Sequence, residues 1–130
     1  RSENIHLLKK HYKKKIILID RFTDSTIAYQ HYGLGVNLNL INTINKYLLK
    51  NFKVNFTFLN IVNKKNMIKR IKKRSVNNKY DKFNYNFYNK VQKGFIKISK
   101  NKKNYLLIDS NKYSVKDNSK IIINKIKKII

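Results

Sequence analysis

Short apolar runs that alternate with longer segments of helical spacing restrict the fold of this chain more than any other feature. Three runs, rich in β-branched or aromatic residues and bounded by Lys or Asn, predict strands over 16–20, 54–61 and 105–109. The segments around them carry apolar residues at helical spacing and predict helices over 2–12, 37–50, 64–74, 84–99 and about 115–130. Strands that alternate with helices predict an α/β fold, in which helices cover both faces of a mostly parallel sheet.

The charge of the chain allows two interpretations. Lys and Arg number 31 against six Asp and Glu, for a net charge of +25, and clustered cations of this kind favour nucleic-acid binding. However, the Lys residues are spread from end to end. The chain also lacks Pro, Cys and Trp and is rich in Lys, Asn, Ile and Tyr, the residues that an AT-rich coding sequence favours. We therefore expect compositional drift on solvated faces rather than a nucleic-acid partner, and a basic nucleic-acid-binding module remains the alternative.

The length of the chain predicts one domain over residues 1–130. No apolar run approaches the roughly 20 residues that a membrane span needs, so we expect no membrane partner. Because the chain has no Cys, it forms no disulfide and no thiolate metal site, which fits a cytoplasmic protein.

The segment DRFTDSTIAYQ, residues 20–30, differs in chemistry from the rest of the sequence. It gathers two of the six carboxylates, an Arg, hydroxyl side chains and a Gln in eleven residues. It also begins at the end of the first predicted strand. Ligands of an open parallel sheet bind beyond the carboxyl ends of its strands, so the sequence predicts a functional site here.

This segment resembles the Asp-Arg-Tyr/Phe-x-x-Ser-x-x-Ala-Tyr-Gln signature of bacterial thymidylate kinases, which phosphorylate dTMP with ATP. Further similarities follow in the family's order, in HYGLGVNLNLINTINKYLL (31–49), FKVNFTFLNIV (52–62), IKRIKKR (68–74), YDKFNYNFYNKVQKGFIKIS (80–99) and LLIDSN (106–111). The resemblance thus covers nearly the whole chain. It implies a P-loop NTPase fold of the nucleoside monophosphate kinase type, with dTMP and ATP as substrates and Mg²⁺ as cofactor. It also implies a homodimer of the full-length enzyme, in which helices such as 37–50 pack across a two-fold axis.

The resemblance assigns the dTMP phosphate and the metal to the start of the motif. Arg21 would meet the phosphate with a planar fork of donors, and Asp20 would help to hold Mg²⁺ near the transferred group. Ser25 belongs to the same substrate-binding motif. A plain ion pair between Asp20 and Arg21 at the strand end is the structural alternative.

The thymidine part of dTMP is assigned to four further residues. Thr26 and Gln30 lie four apart, hence on one face of a helical turn, and by resemblance they read the thymine edge. Tyr29 resembles the ring that packs beside the sugar and disfavours a ribose hydroxyl. Arg1 aligns with an Arg that hydrogen-bonds the base.

The predicted lid, about residues 64–84, carries the arginines assigned to ATP. Arg70 and Arg74 match the lid arginines that approach its phosphates and neutralise charge in the transition state. A solvated basic face is the alternative, because both lie among many Lys. The lid departs from the family where Asp-Arg-x-Glu reads DKFN (81–84), and Asn60 replaces the Asp at a strand end.

The phosphate-binding loop is absent from the 130 residues, which contain no Gly-x-x-x-x-Gly-Lys-Ser/Thr. The family carries this loop near its N-terminus, ahead of the position that aligns with residue 1. We therefore expect the chain to be the C-terminal part of a kinase, an incomplete domain without its first strand and inactive alone. The missing strand would lie between those at 16–20 and 54–61.

Overall fold

The computed structural model describes residues 2–12, 14–50, 52–73 and 84–130. These residues form an α/β structure with a small parallel sheet. The chain divides into two compact units, which we call the first unit (Arg1–Val54 with Lys90–Ile98) and the second unit (Asn55–Asn89 with Ser99–Ile130).

The first unit is helical. Its elements are α1 (Ser2–His11), α2 (Thr23–Thr26), a π-helix (Ile27–Gly33), α3 (Leu38–Leu49) and the Lys90–Ile98 part of α5 (Tyr85–Ser99). The helix α3 begins where the sequence predicts, because the side-chain oxygen of Asn37 accepts hydrogen bonds from the N–H groups of Asn39 and Leu40, at 2.8 and 3.2 Å. The buried core of this unit contains residues from all of its longer helices: Ile5, Leu8, Ala28, Tyr29, Ile41 and Val91.

The second unit is built on two parallel strands, β1 (Thr57–Ile61) and β2 (Tyr105–Asp109). Thr57 pairs with Tyr105 and Ile61 with Asp109, so the strands are in register over their whole length. A hydrogen bond of 2.9 Å from Ser110 N–H to the Ile61 carbonyl continues the pairing past the strand ends. The predicted parallel arrangement of these two strands is confirmed, although β1 begins three residues later than expected.

Helices complete the second unit. They are α4 (Lys64–Lys72), the Tyr85–Asn89 part of α5, and α6 (Val115–Lys127). Asn63 caps α4 and Ser114 caps α6, each through a side-chain oxygen that accepts a backbone N–H in the first turn. The ammonium of Lys125 on α6 lies 5.1 Å from the ring centroid of Phe56, which in turn contacts Phe58 of β1. All five predicted helices are present to within a few residues. No described helix has the length and apolarity to span a bilayer.

The predicted strand over 16–20 is wrong. Residues 16–19 are irregular, and the described sheet has two strands only. Ile16 and Leu18 of this run are 64% and 77% exposed. A parallel strand needs a neighbour to satisfy its N–H and C=O groups. Because no described segment pairs with this run, its apolar composition alone does not make it a strand.

Candidate functional site

The Asp20–Arg21 turn connects the irregular run to α2. Arg21 has φ of 60°, in the left-handed region that L-residues seldom adopt, and both side chains are exposed. Within the described residues Asp20 forms no ion pair with Arg21, so the alternative of a plain strand-end ion pair is not observed. Both charged groups therefore remain available at one turn, which suits the recognition of an anion together with a cation.

The guanidinium of Arg21 lies over a buried aromatic ring. Its central carbon is 5.2 Å from the ring centroid of Tyr29, within the range of a cation–π contact. Tyr29 is only 9% exposed and contacts Phe95 of α5 edge-on, with centroids 6.3 Å apart and the planes at 79°. The sequence motif identified Arg21 and Tyr29, but it gave no reason to include Phe95.

The motif continues into a π-helix. Leu34 N–H bonds to the carbonyl of Tyr29, five residues earlier, at 3.1 Å. The ring nitrogen Nδ1 of His31 and the carbonyl of Val36, 2.9 Å apart, hold the segment that follows. Turns of this width occur often at functional sites. Here the π-helix follows directly on Thr26 and contains Gln30, which lies four residues further on.

Gln30 has a buried oxygen without a partner. Its Oε1 is inaccessible to solvent and accepts no hydrogen bond from any described residue. A buried acceptor left unpaired costs on the order of 1–3 kcal/mol. An N–H donor of a bound ligand would remove that cost, so Gln30 is the strongest single indication of a binding site in the first unit.

A polar cluster lies where β2 ends in the second unit. Asn111 Oδ1 accepts hydrogen bonds of 3.0 Å from Asn63 N–H and from the side-chain amide of Asn66. We call Asn63, Asn66 and Asn111 the amide cluster. It joins the first turn of α4 to the loop after β2. Asn111 also donates from its backbone and side chain to Asp109 Oδ1, and these two bonds hold the pKa of the Asp109 carboxyl below its usual range.

Arg70 is fixed beside this cluster. Its Nη2 donates to the carbonyl of Ser110 at 3.0 Å, so an arginine of the predicted lid contacts the loop at the carboxyl end of the sheet. Ser110 is itself held by a 3.3 Å hydrogen bond from Oγ to Asn60 Oδ1. Asn60, which had no predicted role, thus supports the loop that Arg70 contacts.

The described structure assigns the predicted site residues to different units. Those of the first unit are Asp20, Arg21, Ser25, Thr26, Tyr29 and Gln30, whereas Arg70 belongs to the second. Arg1 lies outside the described residues, as do positions 74–83 of the predicted lid, which include Arg74. Sequence reasoning missed the contact of Phe95 and the joining role of Asn111. The helical stripe of α5 and the LLIDSN segment contained these residues, but neither pattern indicates a contact.

Comparisons with known proteins agree with the motif. The family model described as thymidylate kinase matches residues 1–122. A thymidylate kinase of Wolbachia sp. subsp. Brugia malayi (strain TRS) is 41% identical over 117 residues, which are 88% of this chain and 55% of that protein. A probable thymidylate kinase of Methanocaldococcus jannaschii is 35% identical over 129 residues, which are 99% of this chain and 63% of that protein. The chain spans about half the length of the curated relatives it matches.

Proposed function

Because the chain belongs to the thymidylate kinase family, we propose that the protein transfers a phosphoryl group from ATP to dTMP and so forms dTDP. The observation that carries the proposal is the unpaired buried oxygen of Gln30. By full-length protein we mean these 130 residues with whatever sequence precedes or follows them in the gene. We also propose a cytoplasmic location, which the absence of Cys from the sequence fits.

Gln30 reads the thymine edge in this proposal. The ring N3–H of thymine is a donor flanked by two carbonyl acceptors. A carboxamide can accept from this N3–H through its oxygen and donate to a neighbouring carbonyl through its NH₂ group. Thr26 precedes Gln30 by four residues at the start of the same helical segment and is also half-buried, so its hydroxyl contributes to the same edge. Arg1, which aligns with a family Arg that hydrogen-bonds the base, contacts the base, and Tyr29 packs beside the sugar.

Arg21 and Asp20 act on the phosphates. Arg21 binds the phosphate of dTMP through paired N–H donors, which its exposed guanidinium offers. Asp20 is an exposed carboxylate at the same turn and suits Mg²⁺, an ion that takes one or two carboxylates together with substrate phosphates. When bound, Mg²⁺ supplies neutralisation of phosphate charge. Ser25 completes the motif in the first turn of α2.

Arg70 and Arg74 serve the donor side. We propose that both meet the phosphates of ATP and offset the charge that develops during transfer. The contact between Arg70 and the Ser110 carbonyl supports a fixed start of the lid, because it ties α4 to the loop after β2.

Substitution of Gln30 tests the base-reading role. We expect Gln30→Ala in the full-length protein to raise the KM for dTMP about 2- to 13-fold, the effect of one lost hydrogen bond worth about 0.5–1.5 kcal/mol. The KM for ATP is expected to stay within twofold. Steady-state kinetics with each substrate varied in turn measures both, and Gln92→Ala, at the other glutamine of the chain, is the control.

Two outcomes contradict the proposal. Equal damage to the KM of dTMP and ATP would assign Gln30 a structural role. A much higher rate with UMP or AMP than with dTMP would remove the assigned substrate. The alternative, a nucleic-acid-binding module, predicts strong DNA or RNA affinity that neither Gln30→Ala nor Arg21→Ala changes.

We propose a homodimer formed through α3. Leu40, Ile44 and Tyr47 follow one another at helical spacing and are all largely exposed, which leaves an apolar stripe on this helix. We expect Ile44→Glu to shift the full-length protein from dimer to monomer, because it buries a carboxylate in the interface. Sedimentation velocity measures the mass. Asn42→Glu, an exposed position on the other side of α3, is expected to remain dimeric, and a wild-type monomer would contradict the proposal.

A further inference from the structure

A chain of contacts links α5 to the exposed guanidinium of Arg21. Phe95 of α5 contacts the ring of Tyr29 edge-on at 6.3 Å, and the Arg21 guanidinium lies 5.2 Å from the centroid of that ring. All three residues belong to the first unit. The only one of them that solvent reaches freely is Arg21.

The contacts restrict a side chain that is otherwise very mobile. A free arginine carries about 2 kcal/mol of rotamer entropy, part of which is lost when it binds a ligand. A guanidinium that already rests on a fixed ring loses less on binding, which improves affinity without a new contact to the ligand.

The ring of Tyr29 is a suitable support because it is itself held. Tyr29 is buried in the π-helix, and the edge-on contact with Phe95 fixes the tilt of its ring. The backbone of Arg21 is unusual as well. Its φ of 60° gives the side chain a direction that an extended or right-handed helical backbone does not give.

We propose that Phe95, acting through Tyr29, is a positioning residue that holds the Arg21 guanidinium ready for the phosphate of a nucleoside monophosphate. The inference rests on the proposed function and deepens it, because it adds a residue outside the motif to the acceptor site. Phe95 touches the ring of Tyr29 and acts on the phosphate only through it.

This role affects phosphate and base differently. If Phe95 positions Arg21, its loss weakens the binding of dTMP, which carries a phosphate, more than the binding of thymidine, which shares only the sugar contact of Tyr29. A general loosening of the helix packing weakens the binding of both ligands alike. The ratio of the dissociation constants of thymidine and dTMP therefore separates positioning from mere structure.

The experiment measures these two constants by calorimetry on the full-length protein. We expect Phe95→Leu to raise the dissociation constant of dTMP about two- to fivefold, which fits the loss of an exposed cation–π contact. The dissociation constant of thymidine is expected to change less than 1.5-fold. Phe95→Tyr, which keeps a ring, is expected to restore the ratio. In an Arg21→Ala background, Phe95→Leu is expected to have no further effect on dTMP.

A matched variant controls for stability. Val91→Ala removes a buried side chain from the same helix, and we expect it to leave the ratio unchanged. If Phe95→Leu does not fold, as judged by circular dichroism, Phe95→Met gives the same comparison with a longer, unbranched side chain. An unchanged ratio, or an effect that persists without Arg21, overturns this inference alone. A parent protein that does not bind dTMP overturns the proposed function, and this inference with it.

Discussion

The 130 residues, purified as they stand, will form no dTDP from dTMP and Mg-ATP. Phosphoryl transfer depends on positioning the phosphates and on stabilising their charge. The residues that we propose for the acceptor side, Arg21, Thr26 and Gln30, are present, but the sequence contains no Gly-x-x-x-x-Gly-Lys-Ser/Thr. Flexible Lys side chains cannot replace the fixed backbone N–H groups with which such a loop surrounds the donor phosphates.

The assay needs a folded sample and a sensitive product measurement. Circular dichroism first confirms the helices, and radiolabelled phosphate from ATP then reports dTDP. The full-length protein is the positive control, and Arg21→Ala in the 130-residue chain is the negative one. Turnover above background that Arg21→Ala abolishes would show that these residues hold the donor phosphates by other means.

The second expected result is a loss of stability in Gly94→Ala. In an exposed helix, this change stabilises by up to about 1 kcal/mol through helix propensity. At position 94, however, the added Cβ would lie 2.6 Å from Cδ2 and 2.8 Å from Cβ of Tyr32. Atoms so near the Tyr32 backbone cannot move aside cheaply, so we expect a net destabilisation of about 1–3 kcal/mol. Urea denaturation followed by circular dichroism measures it.

A double-mutant cycle isolates the clash from other effects. Tyr32→Gly removes all three atoms that the new methyl group meets, Cδ2, Cγ and Cβ. In that background Gly94→Ala is expected to become neutral or stabilising, because only helix propensity remains. If Gly94→Ala is harmful to the same extent in both backgrounds, contact with Tyr32 is not the cause.

Local pattern predicted most of the secondary structure. The apolar stripe of α3 predicts a helix from residue 37, and the observed helix begins at Leu38, directly after its cap at Asn37. The strand β2 is predicted with its bounds, Tyr105–Asp109, unchanged. The prediction of α3 succeeds because its deciding interactions are near in sequence, whereas β2 also depends on its pairing with β1, which is distant in sequence.

The run at 16–20 failed for the opposite reason. Its apolar composition resembles that of β2, but a strand also needs a neighbour, which composition cannot supply. Among the described residues β2 has β1 beside it, whereas Ile16 and Leu18 remain exposed.

The sequence named candidate site residues but could not predict their geometry. The motif named Arg21, Tyr29 and Gln30 by resemblance. It could not give the positive φ of Arg21 or the burial of the Gln30 oxygen, because both depend on how the π-helix is formed. Phe95 lies far along the chain from the motif, and only the packing of α5 brings it to Tyr29.

The amide cluster is expected to keep the joint between α4 and the end of β2 insensitive to ionic strength. Asn63, Asn66 and Asn111 are neutral, so dissolved ions do not screen the hydrogen bonds that join α4 to the end of β2. The six carboxylates of the chain can pair with only a few of its 31 cations, and the remaining charges repel one another. At 1 M ionic strength the screening length falls to about 3 Å, which weakens this repulsion while the amide contacts persist. High ionic strength is therefore expected to preserve the stability of this fold, whereas it would lower the stability of a fold held by ion pairs.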